Sequence, residues 1–308
     1  MGKLISGAGW PRPWRVVAGL LVLVLGVGSW AVPARAAAAA TGVLLTILDG
    51  EAVLRTGANG IAAAEGLRLP EGTLLETAPS TRLLRLEWPD GSLLDLGPDT
   101  MLMLQPGPWG RSGGPAPAYY LLRGWAKQVA AAGQAHRGGV SPQLDVLPGA
   151  GVLVLHVTAE QTWAFAEAGD AHLAERGSAG TRVALEPGQA YLRQGVARGE
   201  VAPRPHPEQL KQVPKGFRDT IGPRAAQFKG RPEPKPVVLP APGYAALQAW
   251  LTGEPALRRD FPKRFAVLLK EPGFRAAVDA KLKLHPEWEP VLRPPLPKPS
   301  TKPYEDKR

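Results

Sequence analysis

Short runs of alternating apolar and polar residues fill the chain between residues 42 and 200. The strands that these runs predict are about five to eight residues long and are separated by turn residues such as glycine, proline and aspartate. The runs are GVLLTILDGEAVLRTG, EGTLLETA, TRLLRLEW, SLLDLGP, YYLLRGWAKQVA, VLVLHV, TWAFAEAGDAHLAE and TRVALEPGQAYLRQG. Strands do not alternate with helical segments, so the pattern predicts a mainly β domain over residues 43–200. The strand pattern is compatible with a β-sandwich, a jelly roll or a coiled β-array.

The stretch EWPDGSLLDLGPDT, residues 87–100, contains the clearest turn signal of this region. Pro89 presets φ for the first central position of a turn, and the Asp90 side chain can bond to the nearby backbone. Gly91 tolerates the left-handed conformation that folds one strand back on the next. The stretch therefore predicts a hairpin.

The composition changes after residue 200. Residues 201–243 are crowded with proline, which cannot donate to a sheet ladder and breaks helices, so they are interpreted as a linker or an extended strap. Apolar residues at helical spacing follow and predict a module of three short helices over residues 244–292, with the stripes as its core. The stripes are Tyr244, Leu247, Trp250 and Leu251; Leu257, Phe261, Phe265 and Leu268; and Phe274, Val278 and Leu282. Residues 293–308 form a basic, proline-rich tail that is predicted to be disordered.

The N-terminus has the pattern of an export signal. Three basic residues precede an apolar segment at residues 16–32 that has breaks at Gly26, Gly28 and Ser29, and Ala34 and Ala36 then occupy the positions of an A-x-A cleavage site. We predict a signal peptide over residues 1–36 that is cleaved after Ala36. The alternative is an uncleaved N-terminal membrane anchor, because the apolar segment approaches the roughly 20 residues that span a bilayer.

Charge is distributed unevenly along the rest of the chain. Residues 37–202 carry 12 Lys+Arg against 16 Asp+Glu, whereas residues 203–308 carry 21 against 11, a net charge of +10. A basic C-terminal third is typical of proteins that bind anionic lipid headgroups or cell-wall polymers, although such residues can also be simply solvated. The sequence contains no basic motif with interleaved aromatic residues, so it does not predict nucleic-acid binding. The chain has no cysteine, which excludes disulfides and thiolate metal sites.

A series of short motifs runs through the β region. They are GEAV at 50–53, GL at 66–67, EGTLLET at 71–77, LLRLEW at 83–88, DGS at 90–92 and LLDL at 93–96, followed by LLRGWAKQV and VALEPGQAYLRQG. Together they resemble the FecR domain of exported bacterial proteins, across residues 43–196. Thr73 replaces the family's acidic residue after glycine, and LPGAGVLVLHV lacks its usual glycine–threonine step.

The resemblance implies an exported β module used for sensing or interaction. The FecR family includes regulators that sense an outer-membrane transporter in the periplasm and pass the signal to a cytoplasmic sigma-factor-binding segment. Only about 15 residues precede the apolar segment here, too few for a folded cytoplasmic domain. We therefore expect a periplasmic, non-catalytic sensing, interaction or scaffold protein whose partner is an envelope protein or a cell-wall polymer. Membrane contact is expected only through the N-terminal segment or a basic surface.

No motif predicts an enzyme. The histidines show neither H-x-x-x-H nor H-E-x-x-H spacing, and the G-x-S-x-G and S-x-x-K signatures of serine hydrolases are absent. These histidines are His136, His156, His172, His206 and His285. We predict no catalytic residue, no cofactor site and no metal site, and the residues do not identify a binding site.

Two alternatives stay open on the residues alone. The first is binding of peptidoglycan or an anionic envelope polymer through residues 203–308. The second is an envelope hydrolase, because carboxylates can converge from distant strands. The local concentration of acidic residues consists of Glu76, Glu87, Asp90, Asp95 and Asp99. Asp90, Asp95 and Asp99 do not follow the residue order of a calcium-binding loop. Four-residue spacing along a strand also separates side chains by about 13 Å. We therefore interpret these three residues as part of a solvated turn.

Overall fold

The computed structural model describes residues 42–106, 116–177 and 181–294. The predicted signal peptide and all but the first two residues of the predicted C-terminal tail lie outside this part. Among the described residues, no helix combines the length and the apolarity that crossing a bilayer requires.

Eighteen strands within the described residues confirm the predicted mainly β class. They are β1 (Val43–Asp49), β2 (Ala52–Arg55), β3 (Ile61–Ala62), β4 (Arg68–Leu69), β5 (Leu74–Thr77), β6 (Leu83–Glu87), β7 (Leu93–Leu96), β8 (Met101–Leu104), β9 (Tyr119–Val129), β10 (Gly139–Val140), β11 (Leu144–Val146), β12 (Val152–Val157), β13 (Gln161–Ala168), β14 (Ala171–Glu175), β15 (Arg182–Leu185), β16 (Ala190–Gln194), β17 (Glu200–Ala202) and β18 (Val237–Val238).

The strands form one curled sheet whose two layers share the long strand β9. Sheet A has the order β4-β1-β6-β7-β9-β12-β13-β16-β17. Sheet B has the order β18-β3-β2-β5-β8-β9-β10-β11-β14-β15. All of these pairs are antiparallel except β9 with β10. The first half of β9 pairs in sheet B and its second half in sheet A, so this strand joins the layers.

The core lies between the two layers because alternate residues of each strand point inward. Leu84 and Leu86 of sheet A and Leu75 and Leu102 of sheet B belong to this cluster and are almost completely buried. The alternation that predicts the strands therefore also identifies their inner face.

The predicted hairpin joins β6 to β7. The Gly91 backbone N–H donates to the Trp88 carbonyl at 2.9 Å, and the Ser92 N–H donates to Asp90 Oδ1 at 3.0 Å. Gly91 has φ of 83°, in the left-handed region that favours glycine. These bonds confirm the turn chemistry expected of Pro89-Asp90-Gly91.

Helices cover the outer face of sheet B. Residues 244–292, here called the helical cover, contain α2 (Tyr244–Leu251), α3 (Pro255–Arg258), α4 (Phe261–Phe265), α5 (Pro272–Ala280) and α6 (Glu289–Leu292), with 3-10 turns at Ala266–Lys270, Leu282–Leu284 and Pro286–Trp288. The predicted apolar stripes are buried in it, apart from the half-buried Leu282, but in shorter helices than expected. Proline is the first or second residue of α3, α4, α5 and α6, where its missing N–H is harmless, so each proline marks the start of a new helix.

The proline-rich segment crosses the outer face of sheet A. Residues 203–238, here called the strap, contain α1 (Pro207–Gln212) and 3-10 turns at Lys215–Phe217 and Ala225–Phe228. The strap ends in β18, which pairs with β3 at the edge of sheet B. The sandwich thus has a separate cover on each outer face.

Candidate functional site

Ionisable side chains are buried on the outer face of sheet A, beneath the strap. Arg85 and Glu87 of β6, Asp95 of β7 and Lys127 of β9 are each 8% exposed or less. Inward-facing leucines occupy the alternate positions of β6 and β7, which forces these charged residues outward. Register places Asp95 between Arg85 and Lys127, so three neighbouring strands contribute to one cluster.

The centre of the cluster is a bidentate ion pair. Arg85 Nε lies 2.6 Å from Asp95 Oδ1, and Arg85 Nη2 lies 2.7 Å from Asp95 Oδ2. Burial by itself lowers the pKa of Arg85, but the hydrogen bonds and charge of Asp95, together with the charge of Glu87, raise this pKa above its usual value. The guanidinium therefore keeps its charge inside the protein.

Two cations of the cluster bind carbonyl groups of the strap. Arg85 Nη1 donates to the Ile221 carbonyl at 2.5 Å, and Lys127 Nζ donates to the Phe217 carbonyl at 2.7 Å. Lys127 also lies 2.9 Å from the carboxylate of Glu167 on β13. The strap is held at these points through its main chain.

The carboxylate of Glu87 binds the strap at the start of its second 3-10 turn, Ala225–Phe228. It accepts from the backbone N–H groups of Arg224 at 2.7 Å and Ala225 at 2.9 Å. The Thr46 hydroxyl donates to the same carboxylate at 2.7 Å. An ionised carboxylate suits this position because it only accepts, and all three partners are donors.

One aromatic side chain anchors the strap in the sheet. Phe217 is 1% exposed and packs in a cluster with Ile47, Leu83 and Val154. The preceding residue, Gly216, approaches β6 so closely that an added Cβ would lie 2.6 Å from the Arg82 carbonyl oxygen. A residue without a side chain is therefore required directly before the anchor.

An open groove of about 490 Å³ lies beside this anchor, between α1 and sheet A. Its lining combines apolar and charged side chains, among them Phe165, Val213, Phe217, Glu167, Lys211 and Arg218. The groove is continuous with the surface that the strap occupies because Phe217 lines both.

The same face of sheet A continues into an aromatic group. The rings of Trp125 and His156 stack with centroids 3.9 Å apart, and Trp163 meets Trp125 edge-on at 6.0 Å. Burial lowers the pKa of His156 to about 4, so the imidazole is neutral at pH 7. The outer face of sheet A thus has a charged half under the strap and an aromatic half beside it.

The acidic residues singled out in the sequence do not form one site. Glu87 and Asp95 lie in the buried cluster, so Asp95 is not the solvated group expected. Glu76 lies on sheet B and accepts from Trp250 of the helical cover at 2.8 Å. Asp99 pairs at the surface with an arginine of β9.

Asp90 has the role expected of a turn residue. Burial by itself raises its pKa, but hydrogen bonds from Ser92 and Arg137 outweigh this effect and lower the pKa below its usual value. The carboxylate accepts from Arg137 Nε at 2.9 Å. It therefore ties the hairpin to the loop that precedes β10.

The histidines are dispersed. His136 and His285 are buried, and burial lowers the pKa of each. His285 Nε2 lies 3.0 Å from the Tyr244 hydroxyl within the helical cover, whereas His172 and His206 are exposed. In the described ranges, no group of three or more His, Asp or Glu residues is arranged to hold a metal ion.

The helical cover is attached to sheet B mainly through apolar contacts, although Arg264 of α4 also donates to the main-chain carbonyls of Gly72, at 2.8 Å, and Arg55. Apolar side chains of α2 to α6 pack on Leu74, Met101 and Tyr120 of the sheet. An ionic group stands beside them, where Arg176 binds both oxygens of Glu254 at 2.6 Å. The Tyr120 hydroxyl donates to Glu254 at 2.5 Å.

Sequence reasoning missed the cluster under the strap. Its signal is present in LLRLEW, which has charged residues at two alternate positions, and in LLDLGP and GWAKQV, each of which has one charged residue within a strongly apolar strand. Such residues can face water or another segment of the chain. The proline-rich segment that covers them lies more than 70 residues further along.

Comparison with known proteins gives limited similarity. No family model and no curated protein matches this chain. Two crystal structures described as a "putative anti-sigma factor" from Parabacteroides distasonis are similar to part of it, each with 15% sequence identity. They cover 39% and 38% of this chain, with TM-scores of 0.30 and 0.29. The match spans only about half of those chains, 54% and 53%.

Proposed function

We propose that this protein is an exported, FecR-like interaction module of the bacterial cell envelope that acts without catalysis. The observation that carries the proposal is the outer face of sheet A, where Arg85, Lys127 and Glu87 bind the main chain of a segment lying across the strands. Binding of main-chain carbonyl and amide groups is the chemistry of peptide recognition.

The state of the buried acids also supports a binding role. Both oxygens of Asp95 accept from Arg85, and Glu87 accepts from three donors. A general base requires a carboxylate oxygen that faces a substrate. These two carboxylates instead neutralise a cation and hold the strap.

Cross-linking in cells tests the interaction. A photo-reactive amino acid at Leu210 or Lys211, beside the groove, is expected to trap a defined envelope protein. The matched control is the same group at exposed Leu284 of the helical cover. Equal labelling from the groove and from the control, or none from either, would contradict an interaction function of this face.

Export is part of the proposal and is supported by the N-terminal pattern. Purification from a periplasmic fraction is expected to yield a chain whose first residue is Ala37, measured by intact mass. Ala36→Arg should block cleavage and leave the longer, membrane-associated form. A full-length chain recovered from the cytosol would contradict this localisation.

Binding of an anionic envelope polymer is a second candidate function, and the charge of the strap favours it. Residues 203–238 carry eight Lys+Arg against three Asp+Glu, and Lys215, Lys229 and Lys235 are exposed. Sedimentation with purified cell wall should fall at high salt and in a variant with these three lysines changed to glutamine. The matched control changes Lys263, Lys270 and Lys283 of the helical cover, and equal losses in both variants would contradict a strap-specific site.

A further inference from the structure

The strap resembles a bound peptide more than a structural layer. The sheet binds it through three main-chain contact points, at Phe217, Ile221 and the amides of residues 224–225. Between the first two points, residues 218–220 are exposed and Ile221 is 36% exposed. Within the whole strap, residues 203–238, Phe217 is the one large side chain that is fully buried.

The connections of the strap leave it room to move away. About 34 residues separate the end of β17 from the start of β18. A chain of this length can extend over roughly 110 Å, far more than the width of the sheet that it crosses. The strap can therefore leave sheet A while both of its ends stay paired.

We infer that the outer face of sheet A is a peptide-binding site that the strap occupies in cis, and that a partner's extended segment of the same chemistry exchanges with it. The inference rests on the proposed interaction function and adds the kind of partner. The groove beside Phe217 gives an incoming segment a first contact with the apolar lining before the strap leaves.

The geometry defines the partner segment. A glycine must precede a large aromatic residue, because a Cβ at the position of Gly216 would meet the Arg82 carbonyl. A carbonyl four residues after the aromatic residue then reaches Arg85, and two consecutive N–H groups three residues further reach Glu87. The charges at the site nearly cancel, with two cations against the carboxylates of Glu87, Asp95 and Glu167. The main chain and the aromatic anchor therefore determine recognition rather than net charge.

The strap's own sequence provides the probe. A fluorescent peptide of residues 212–228, QVPKGFRDTIGPRAAQF, is titrated into the mature protein and followed by anisotropy. Wild-type protein should bind it weakly, because the tethered strap competes at an effective concentration on the order of millimolar. Phe217→Ala in the protein weakens the tethered copy and should increase peptide affinity at least tenfold.

A second variant separates exchange from loss of the anchor. Arg224→Pro removes an N–H that donates to Glu87 and leaves Phe217 in place, and it should also increase peptide affinity. Peptides carrying Gly216→Val or Phe217→Ala should bind each variant at least tenfold more weakly than the parent peptide. Circular dichroism and thermal melting establish that both protein variants are folded.

The outcomes decide between exchange and a fixed strap. No saturable binding to either folded variant, or equal binding of the Gly216→Val peptide, would overturn the inference. Unfolding of both variants would overturn it as well, because the strap would then be an integral part of the fold. This assay needs no cellular partner, so its failure and a failure of the cross-linking experiment are distinguishable.

Discussion

The two covers of the sandwich differ in how much apolar surface attaches them. The helical cover buries Trp250, Phe265 and Trp288 completely, in one apolar cluster with the outer face of sheet B. The strap buries one large side chain, Phe217, together with Pro214. It is held mainly by hydrogen bonds between its main chain and charged side chains of the sheet, and its Glu233 side chain also accepts from the Arg68 N–H at 2.7 Å. One cover extends the core, whereas the other occupies a binding surface.

The difference has a consequence for stability. Burying a large apolar side chain contributes about 1.5–3 kcal/mol, and these contributions act together across the helical cover. A hydrogen bond to a charged group contributes about 1.5–3 kcal/mol, and water replaces it when the strap opens. We therefore expect the helical cover to unfold with the sandwich and the strap to open locally.

The largest effect is expected from Trp250→Ala in the helical cover. The change removes a fully buried side chain and the bond from its Nε1 to Glu76, so the free energy of unfolding should fall by about 4 kcal/mol. Urea denaturation measures the change. Val267→Ala, at a side chain that is 52% exposed, is the control and should stay within about 0.5 kcal/mol. A Trp250→Ala protein as stable as the control would mean that the helical cover is not part of the core.

Breaking the ion pair under the strap should have the next largest effect. Arg85→Met leaves the Asp95 carboxylate buried without its partner and should lower the free energy of unfolding by about 3 kcal/mol. The double variant Arg85→Met, Asp95→Leu removes both charges and should be more stable than the single variant. Equal stability of the single and double variants would show that Asp95 is not held as a buried charge.

The hairpin that carries the charged cluster provides a third test. Gly91→Val places a β-branched residue at φ of 83° and should lower the free energy of unfolding by about 2 kcal/mol. No atom outside the turn is closer than 3.5 Å to the added Cβ, so the cost comes from the backbone. Gly91→Asn, which accepts the left-handed region more readily, should lose less. A valine variant that melts like wild type would contradict this turn.

The smallest effect is expected in the pH dependence of the aromatic half of sheet A. The pKa of His156 is about 4 in the folded protein and about 6.5 in the unfolded chain, so the unfolded state binds more protons between these values. Stability contributed by the neutral ring is complete above about pH 6.5 and is lost as the pH falls toward 4. His156→Phe should reduce this loss by on the order of 1 kcal/mol, whereas His172→Phe, at an exposed site, serves as the control. An unchanged pH profile for His156→Phe would contradict the buried neutral ring.

The sequence predicts the parts of the fold that depend on local chemistry. Alternation identifies the inner face of β6 and β7, and Pro89-Asp90-Gly91 identifies the turn between them. The apolar stripes identify the helical cover, although the prolines in the first turns of α3 to α6 divide it into shorter helices. These features follow from neighbours along the chain and need no knowledge of the tertiary structure.

The candidate site depends on contacts that no local pattern reveals. Spacing places Arg85 and Asp95 on the outer face of their strands, but their pairing requires the register of β6 with β7. Their burial requires the strap, whose contact with Arg85 bridges 136 positions of the chain. A charged residue on an outer face is usually solvated, and only the path of the strap makes this cluster an exception.

Hydrogen exchange on the full mature chain tests the difference between the two covers most directly. The amides of Arg224 and Ala225, which bind Glu87, should exchange through a local opening that denaturant hardly affects. The amides of Trp250 in α2 and Val278 in α5, whose side chains are fully buried in the helical cover, should exchange only through global unfolding. Equal protection of the two pairs, with the same dependence on denaturant, would contradict a strap that opens independently of the sandwich.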